Sequence, residues 1–576
     1  MPGRLTSLML TLAVLGAAHA AVGSVPTYTK DVAPLLLRHC AACHADGDDP
    51  ARVALLSYPQ AVAAASSIRE QAAARTMPPW SADPAHSLKF RNDARLSDVE
   101  LGTLLAWIDG GTPEGDAADL PPVSGQPQSW PSALQRPPDA IVALPELQVA
   151  ASGEIPYIQQ LIKVPAMQDQ WIAAMQLRAG NRRLLHHMAI TEVLLPEGMG
   201  PKEIAQFAAV ARNLGIPEGA VADVTPAVVD SANANAYDML GVYTPGSTLE
   251  VFAEDSGKLL KGGKNYYLNF NIHYSATGKP ESDRSQLALW FRPTPPRQQL
   301  FRAPMAINAI IANGSELLTD APGTKAEGTP VAIPPIAPYA HSYELIGMSA
   351  FTQAVTIFQL QPHAHMRARD FRYDLVYPDG RELTLLTVPA YDFHWQLAYE
   401  LEQPLEAPAG SKLVVTAHYD NSQENYRQRI AADDPGRNCG PENLVYFRRQ
   451  NQTWDEMFSP LAQYAVDTTA AATAMRLPRP LKTVQVVGCL APGRANDWQL
   501  RRAGKPAATG SQASSSTELQ DARALPLGTG KYALVGTGPF DARSRRGHKV
   551  VVKGVLIEAG NRINVTSLQT IGSRCP

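Results

Sequence analysis

The sequence contains few cysteines, no long apolar segment after its N-terminus and no marked excess of charge. Five cysteines occur among 576 residues, and 45% of the residues are hydrophobic, which is ample material for several apolar cores. After the N-terminal segment, no stretch approaches the about 20 apolar residues of a membrane-spanning helix, so we expect no membrane span. The formal net charge of −3, without a long basic run, argues against nucleic acid as a partner.

The N-terminal segment itself has the features of a secretory signal. Arg4 precedes the apolar run LMLTLAVLGAA, and Ala18-His19-Ala20 follows it as an A-x-A cleavage pattern. We therefore predict a signal peptide over residues 1–20 and a periplasmic or secreted location in a bacterium.

A Cys-x-x-Cys-His motif occurs at Cys40, Cys43 and His44. This motif is typical of covalent haem c attachment, in which two thiols hold the porphyrin and the histidine is an axial ligand of the iron. We predict that Met77, in RTMPPW, is the second axial ligand, with His39 and His86 as the alternatives. Because haem c is attached outside the bacterial cytoplasm, the motif agrees with the signal peptide.

Three further cysteines remain once the haem motif is set aside. They are Cys439, Cys489 and Cys575, so at most one internal disulfide forms among them. Export permits such a bridge, but the sequence does not select the pair.

Residues 26–117 resemble a class I type cytochrome c. They are alanine-rich, and they end in a helical pattern of leucines that begins after Ser97, a suitable N-cap. The resemblance implies an all-α cytochrome c domain over residues 26–117. The next segment, residues 118–140, is predicted to be a linker because six prolines lie between positions 121 and 140.

The pattern after the linker changes to short, alternating apolar runs that are separated by Pro, Gly and Asn. Such runs predict mainly-β sandwich domains over about residues 141–470. A small C-terminal β domain is expected over residues 478–576. The predicted fold class is therefore multidomain, with the all-α domain followed by mainly-β domains.

Several histidines occur in groups that suit a metal ion. His363 and His365 are two residues apart, so on a strand they project from the same face and can share one ion. His186 and His187 are adjacent, so they can share an ion only at a bend or by using different ring nitrogens, and His273 could complete a set of three imidazoles. Imidazole suits copper, zinc, iron or nickel, whereas a thioether such as that of Met457 points to copper that cycles through Cu(I).

The order of these motifs resembles the copper type II, ascorbate-dependent monooxygenases, the family of peptidylglycine and dopamine β-monooxygenases. The resemblance covers about residues 140–470. It implies two packed, jelly-roll-like β-sandwiches, over residues 141–300 and 301–470, with one copper on each. It implies that the electron-transfer copper is bound by His186, His187 and His273. It also implies that the oxygen-activating copper is bound by the catalytic residues His363, His365 and Met457.

The sequence departs from the amidating members of that family in three positions. Gln361, Ser459 and Leu461 stand where those members have the arginine, asparagine and tyrosine that hold a peptide carboxylate. A glycine-extended peptide is therefore not expected as the substrate, and Gln361 resembles the dopamine-hydroxylating branch. Residues 140–300 also lack the cysteines that cross-link the first domain of the animal enzymes.

Together these features predict an exported, copper-dependent monooxygenase that hydroxylates an activated C–H bond with O2. Its cofactors would be one covalent haem c and two copper ions. Its partners would be O2, an unidentified organic substrate and an upstream periplasmic electron donor to the haem. A non-catalytic electron-transfer or copper-binding protein is the first alternative, and a binding module is the second. His394 and His418 lie in the domain of the oxygen-activating copper. Each either supports the ligands of that site or is an ordinary core or surface histidine.

Overall fold

The structure is a computed structural model. It describes residues 25–44, 54–121, 133–152, 155, 157–195, 197, 238–245, 249–325, 329–425, 440–447, 455–468, 481–493, 497–510 and 513–576. The predicted signal peptide, residues 122–132 of the predicted linker and Cys439 lie outside these ranges. The chain divides into two compact units, one formed by residues 1–78 and 96–124 and the other by residues 79–95 and 125–576.

Helices are short throughout the described residues, and five of the six α-helices lie in the first unit. They are α1 (Ala33–His39), α2 (Ala41–His44), α3 (Tyr58–Ala63), α4 (Ala65–Ala73), α5 (Asp98–Asp109) and α6 (Ser516–Ala524). A π-helical turn (Tyr28–Val32) and three 3-10 turns (Ala117–Asp119, Ala133–Gln135 and Gly538–Phe540) complete the helical elements.

The first unit is held together by one apolar cluster around Trp107. The Trp107 side chain is fully buried against Tyr28 and Leu104, and its indole N–H donates to the carbonyl of Pro113. The predicted helix after Ser97 is present as α5, and the Ser97 hydroxyl accepts from the backbone N–H of Glu100 in a capping box.

The prediction of an all-α cytochrome c domain over residues 26–117 is wrong. Residues 79–95 leave the helical unit, and their backbone pairs with strands of the second one: Phe90 forms a β-bridge with Leu401, and Leu88 N–H donates to the carbonyl of Leu385. The aromatic rings of Trp80 and Phe90 also join the apolar core of the second unit. The longest α-helix in the described residues has 12 residues, and the described chain is mainly β-sheet.

The strands of the described residues belong to the second unit. They are β1 (Ala140–Ala143), β2 (Leu147–Val149), β3 (Ile158–Lys163), β4 (Gln170–Arg178), β5 (Leu185–Leu194), β6 (Met239–Tyr243), β7 (Glu250–Val251), β8 (Ser256–Leu260), β9 (Tyr266–Tyr274), β10 (Glu281–Asp283), β11 (Gln286–Arg292), β12 (Gln298–Pro304), β13 (Ala309–Ala312), β14 (Ser315–Glu316), β15 (Tyr343–Ala350), β16 (Val355–Gln361), β17 (Ala368–Val376), β18 (Glu382–Val388), β19 (Tyr399–Ala407), β20 (Lys412–Tyr419), β21 (Leu461–Asp467), β22 (Thr483–Pro492), β23 (Trp498–Ala503), β24 (Ala507–Ala508), β25 (Gly530–Val535), β26 (Lys549–Ile557) and β27 (Arg562–Gly572).

One nine-stranded sheet runs through both predicted copper domains. Its order is β1-β11-β4-β8-β12-β21-β16-β19, with β7 paired to β4. Strand β12 joins the two halves, because it pairs in parallel with β8 on one side and antiparallel with β21 on the other.

A smaller sheet packs on each half of this large sheet. The four-stranded sheet β3-β9-β5-β6 covers the first half, and side chains such as Met175, Ile190 and Phe270 form the core between them. The six-stranded sheet β14-β13-β15-β20-β17-β18 covers the second half over a core that includes Ile357 and Phe371. Each half is therefore a sandwich of two sheets with its own buried core, as alternating apolar strands require.

The C-terminal strands form a further β domain on the outer face of the six-stranded sheet. Their order is β23-β25-β27-β26-β22-β24, and an additional β22–β23 pairing closes five of them into a barrel. A disulfide joins Cys489 to Cys575 and ties the C-terminal segment to β22. Lys412 is fully buried at the contact with the second sandwich, where its ammonium donates to the carbonyls of Gly536 and Val565.

None of the helices in the described part of the chain has the length and apolar character that crossing a membrane requires.

Candidate metal centre

Three histidines of the first sandwich converge on one point. His186 and His187 lie on β5, and His273 lies on the neighbouring strand β9, directly opposite His187. The register of this pair shifts between Leu185 and His187, and such a bulge redirects a side chain that a regular strand would send to the other face. As a result, one ring nitrogen of each histidine lies within 4.8 Å of the other two.

Two of these rings, those of His187 and His273, are buried and electrically neutral, and His186 is half-buried. Burial and the neighbouring imidazoles hold the pKa of both His187 and His273 well below the usual histidine value, so each keeps a lone pair at neutral pH. The Nδ1 atoms of His186 and His187 are 3.0 Å apart, and the buried Nδ1 of His273 has no hydrogen-bond partner among the described residues. Three imidazoles with converging nitrogens are a suitable donor set for copper or zinc.

Tyr157 lies against this cluster, although no sequence motif pointed to it. Its ring stacks on His273 with a centroid distance of 4.5 Å and an interplanar angle of 10°. Its hydroxyl oxygen is 3.2 Å from Nε2 of His187. Burial raises the pKa of Tyr157, so its hydroxyl remains protonated.

A second donor set lies in the second sandwich. His363 and His365 follow the end of β16, in an irregular segment instead of the expected strand, and Met457 precedes β21. The Met457 sulfur is 3.3 Å from Nε2 of His363, and the two imidazole rings are perpendicular with centroids 5.8 Å apart. The structure thus brings together the three residues that the sequence motifs selected.

Hydrogen bonds at the other ring nitrogen leave both Nε2 atoms of this set with a lone pair. His363 Nδ1 donates to the side-chain oxygen of Gln396 at 2.7 Å, and His365 Nδ1 donates to the carbonyl of Asp455 at 3.1 Å. Burial lowers the pKa of His363 to about 4, so this imidazole is neutral at physiological pH. Two Nε2 atoms and one thioether sulfur make a soft donor set that suits Cu(I).

Glu456 fixes the backbone around this set. Its carboxylate is fully buried and accepts the backbone N–H groups of His365 at 2.9 Å, Arg367 at 2.5 Å and Met457 at 3.3 Å. Burial raises the pKa of Glu456 to about 7, while the nearby Arg367 and these N–H donors oppose the rise. One side chain thus connects the backbone at His365 and Arg367 to the methionine that follows it.

The two donor sets lie side by side. The rings of His187 and His363 have centroids 5.9 Å apart. Phe393, from the segment between β18 and β19, lies 4.8 Å from the His186 ring and 5.7 Å from the His365 ring. Its side chain is buried, so it fills part of the space that both sets share.

The positions that differ from the amidating enzymes are buried near the second set. Gln361 is paired in register with Leu461, and its side-chain amide donates to the carbonyl of Gln396. The backbone N–H of Ser459 donates to the carbonyl of His363. No ionised group replaces the missing arginine at these three positions.

The remaining histidine candidates have other partners. His394 lies 6.1 Å from the His186 ring and contacts Asp392 at 3.1 Å. His418 lies between two carboxylates, 2.6 Å from Asp370 and 3.4 Å from Glu344. Neither belongs to a donor set.

The predicted haem residues lie in the first unit. The backbone N–H groups of Cys43 and His44 donate to the carbonyl of Cys40, which places all three residues within one helical turn. Burial, and secondarily Cys43, raise the pKa of Cys40 to about 11. Met77 follows α4 in a turn.

The two alternative axial ligands have acidic partners. His39 contacts Glu100 at 3.2 Å. His86, which belongs to the second unit, contacts Asp83 at 2.6 Å. Each of these imidazoles therefore already has a carboxylate neighbour.

Comparison with known proteins gives no family. No protein-family model matches the chain, and no curated protein matches it. A structure of allantoicase is 10% identical, with 48% of this chain and 79% of that chain covered and a TM-score of 0.15. A structure of PNGF-II is 6% identical over 56% of this chain and 65% of that chain, with a TM-score of 0.20. A structure of allantoicase from Saccharomyces cerevisiae is 12% identical, with 48% of this chain and 80% of that chain covered and a TM-score of 0.12. Similarities this weak carry no information on function.

Proposed function

We propose that this chain is an exported, copper-dependent monooxygenase that hydroxylates an activated C–H bond with O2. The observation that carries the proposal is the pair of adjoining donor sets, one of three imidazoles and one of two imidazoles with a thioether. In the first set one ring nitrogen of each histidine lies within 4.8 Å of the other two, and in the second set the hydrogen bonds at Nδ1 of His363 and His365 leave Nε2 of each ring with a lone pair. Their residues occur in the order found in the copper type II monooxygenases.

The residues of the chain fit copper better than other metals. His186, His187 and His273 would hold the electron-transfer copper, and His363, His365 and Met457 would hold the copper that meets O2. Copper bound there supplies one-electron redox chemistry, and a thioether favours its reduced state. Carboxylate donors, which magnesium or calcium prefer, are absent from both sets.

The surrounding side chains orient the donors. Gln396 holds the His363 ring through Nδ1, and Glu456 holds the backbone of the histidine segment against Met457. Phe393 packs beside the His186 and His365 rings. Contacts of this kind fix the orientation of metal ligands.

The substrate is proposed to be neutral near its reacting carbon. Gln361, Ser459 and Leu461 offer no charged partner to a carboxylate, and burial of an unpaired carboxylate costs several kcal/mol. Glycine-extended peptides are therefore poor candidates.

Electrons are proposed to come from a haem c on the same chain. Cys40 and Cys43 would attach it, and His44 and Met77 would be its axial ligands, which fits the placement of Cys40, Cys43 and His44 within one helical turn. An upstream periplasmic donor would reduce the haem, which agrees with the proposed signal peptide and a periplasmic or secreted location.

Isotope labelling tests the proposed reaction. The copper-loaded, reduced full-length protein is incubated under ¹⁸O2 with a mixture of small organic molecules, and mass spectrometry detects products that gain one labelled oxygen. We expect such a product with the wild type and its loss in Met457→Ala. His341→Ala is the matched control, because that side chain is mostly exposed and belongs to neither donor set. No labelled product from any mixture, with both coppers bound, would contradict the proposal.

The position of Phe393 favours a second candidate function. A ring that fills space between the sets leaves less room for a substrate, as expected of a non-catalytic electron-transfer or copper-binding protein. Reversible redox cycling of bound copper without any labelled product would support that function.

A further inference from the structure

We propose that Tyr157 is a positioning residue of the three-histidine site. It selects the nitrogen with which His187 binds the metal, and it fixes the ring plane of His273. This inference rests on the proposed binding of copper to His186, His187 and His273.

Strand pairing places Tyr157 next to both ligands. Ile158 begins β3 and lies opposite Ile272 of β9, so Tyr157 continues the antiparallel register opposite His273. His273 in turn lies opposite His187 of β5. Tyr157, His273 and His187 are therefore cross-strand neighbours in one row, and such neighbours contact each other directly.

The hydroxyl of Tyr157 determines which nitrogen of His187 is available. It lies 3.2 Å from Nε2, whereas Nδ1 of the same ring faces Nδ1 of His186 at 3.0 Å. When Nδ1 binds a metal, the ring proton resides on Nε2 and can donate to the Tyr157 oxygen. A hydrogen bond at the distal nitrogen is the usual means by which proteins orient a histidine ligand.

The ring of Tyr157 acts on the second ligand. Its plane is 10° from that of His273 at a centroid distance of 4.5 Å, so rotation of the imidazole about its side-chain bonds would separate the two rings. The Nδ1 of His273 has no hydrogen-bond partner among the described residues, so no hydrogen bond at that nitrogen fixes the ring, and the stacked Tyr157 ring determines its plane.

Variants of Tyr157 separate these two effects. Tyr157→Phe removes the hydroxyl and keeps the stacked ring, whereas Tyr157→Leu removes both. Tyr343→Phe is the matched control, because it removes a similar hydroxyl, bonded to the carbonyl of Pro334 at 2.9 Å, from the second sandwich. All three changes are made in the full chain that also carries His363→Ala and His365→Ala, so that only the three-histidine site binds copper tightly.

The readouts are Cu(II) affinity, by competition with a chelator, and the Cu(II) electron paramagnetic resonance spectrum. We expect Tyr157→Phe to weaken binding about 10-fold and Tyr157→Leu about 100-fold, the range found when partners of metal ligands are removed. Both should change the copper hyperfine splitting, which a merely structural role would leave unaltered, and Tyr343→Phe should change neither readout.

The outcomes separate this inference from the proposed function. Unchanged affinity and spectrum in Tyr157→Phe and Tyr157→Leu, with copper still bound, would overturn the role of Tyr157 alone. Absence of copper from the parent chain, with circular dichroism showing it folded, would overturn both proposals. If Tyr157→Leu does not fold, Tyr157→Phe decides, because it keeps the ring and its packing.

Discussion

Replacement of Glu456 by Gln should destabilise the second sandwich around His363 and Met457. The Glu456 carboxylate accepts three backbone N–H groups, from His365, Arg367 and Met457. An amide has only one acceptor oxygen, so at least one of these buried donors would face an NH2 group. An unsatisfied buried donor costs about 1–3 kcal/mol, and the loss of a charged acceptor adds to this, whereas removal of a buried charge recovers part of it. We expect a net loss of about 2–3 kcal/mol.

The assay combines global and local readouts on the metal-free chain at pH 8, above the pKa of about 7 that burial gives Glu456. Denaturant unfolding should show the loss of stability, and hydrogen exchange should become faster in the peptide that contains residues 363–367. Glu442→Gln is the control, because Glu442 is exposed and surface changes usually stay within about 0.5 kcal/mol. Unchanged exchange in residues 363–367, with unchanged unfolding, would refute the role assigned to this carboxylate.

Four further outcomes are expected. Burial lowers the pKa of Lys412 to about 7, so between pH 7 and 10 the unfolded chain binds more protons than the folded one. Stability should therefore rise with pH in this range, by at most about 1.4 kcal/mol per pH unit. Unfolding measurements on Lys412→Met should show that this pH dependence is lost. Phe393→Ala should cost about 3 kcal/mol in the same assay through the cavity it leaves, yet retain both coppers in metal analysis. Cys489→Ser should lower stability by about 4 kcal/mol, because the bridge to Cys575 closes a loop with a separation of 86 residues, and reduction of the wild type should have the same effect. Cys40→Ser should reduce covalent haem staining of the denatured chain; equal staining would contradict haem attachment at that thiol.

The two histidine pairs could be selected from the sequence because each is a short local motif, whereas the full sets with His273 and Met457 came from the family resemblance. His363 and His365 are two residues apart, and His186 and His187 are adjacent, so little chain needed to be folded to bring each pair together. What the adjacent pair required was a bulge in β5, which no residue type in that stretch signals. The metals themselves stay predictions.

The supporting residues could not be found in the same way. Tyr157 and Phe393 reach the ligands through strand pairing and packing between segments far apart in the chain, and neither belongs to a motif. Glu456 lies within the Asp-Glu-Met motif, but its role follows only from the three backbone N–H groups that surround it.

The all-α domain failed as a prediction because a helical pattern at its end was extended across the whole of residues 26–117. The periodic leucines do form α5. Trp80 and Phe90, however, pack in the core of the second sandwich, so residues 79–95 belong to the second unit. The spacing of apolar residues predicts a single helix or strand, whereas the core in which an aromatic side chain packs depends on the tertiary fold.

Metal analysis combined with Cu(II) electron paramagnetic resonance tests the central claim most directly. The full-length protein, exported under copper-replete conditions, should contain two coppers per chain with two distinguishable signals. Met457→Ala should weaken copper at its own set and leave the signal of the three-histidine set unchanged, and His273→Ala should do the reverse. Zinc in both sets, or full copper retention when His363 and His365 are both replaced by Ala, would contradict the account.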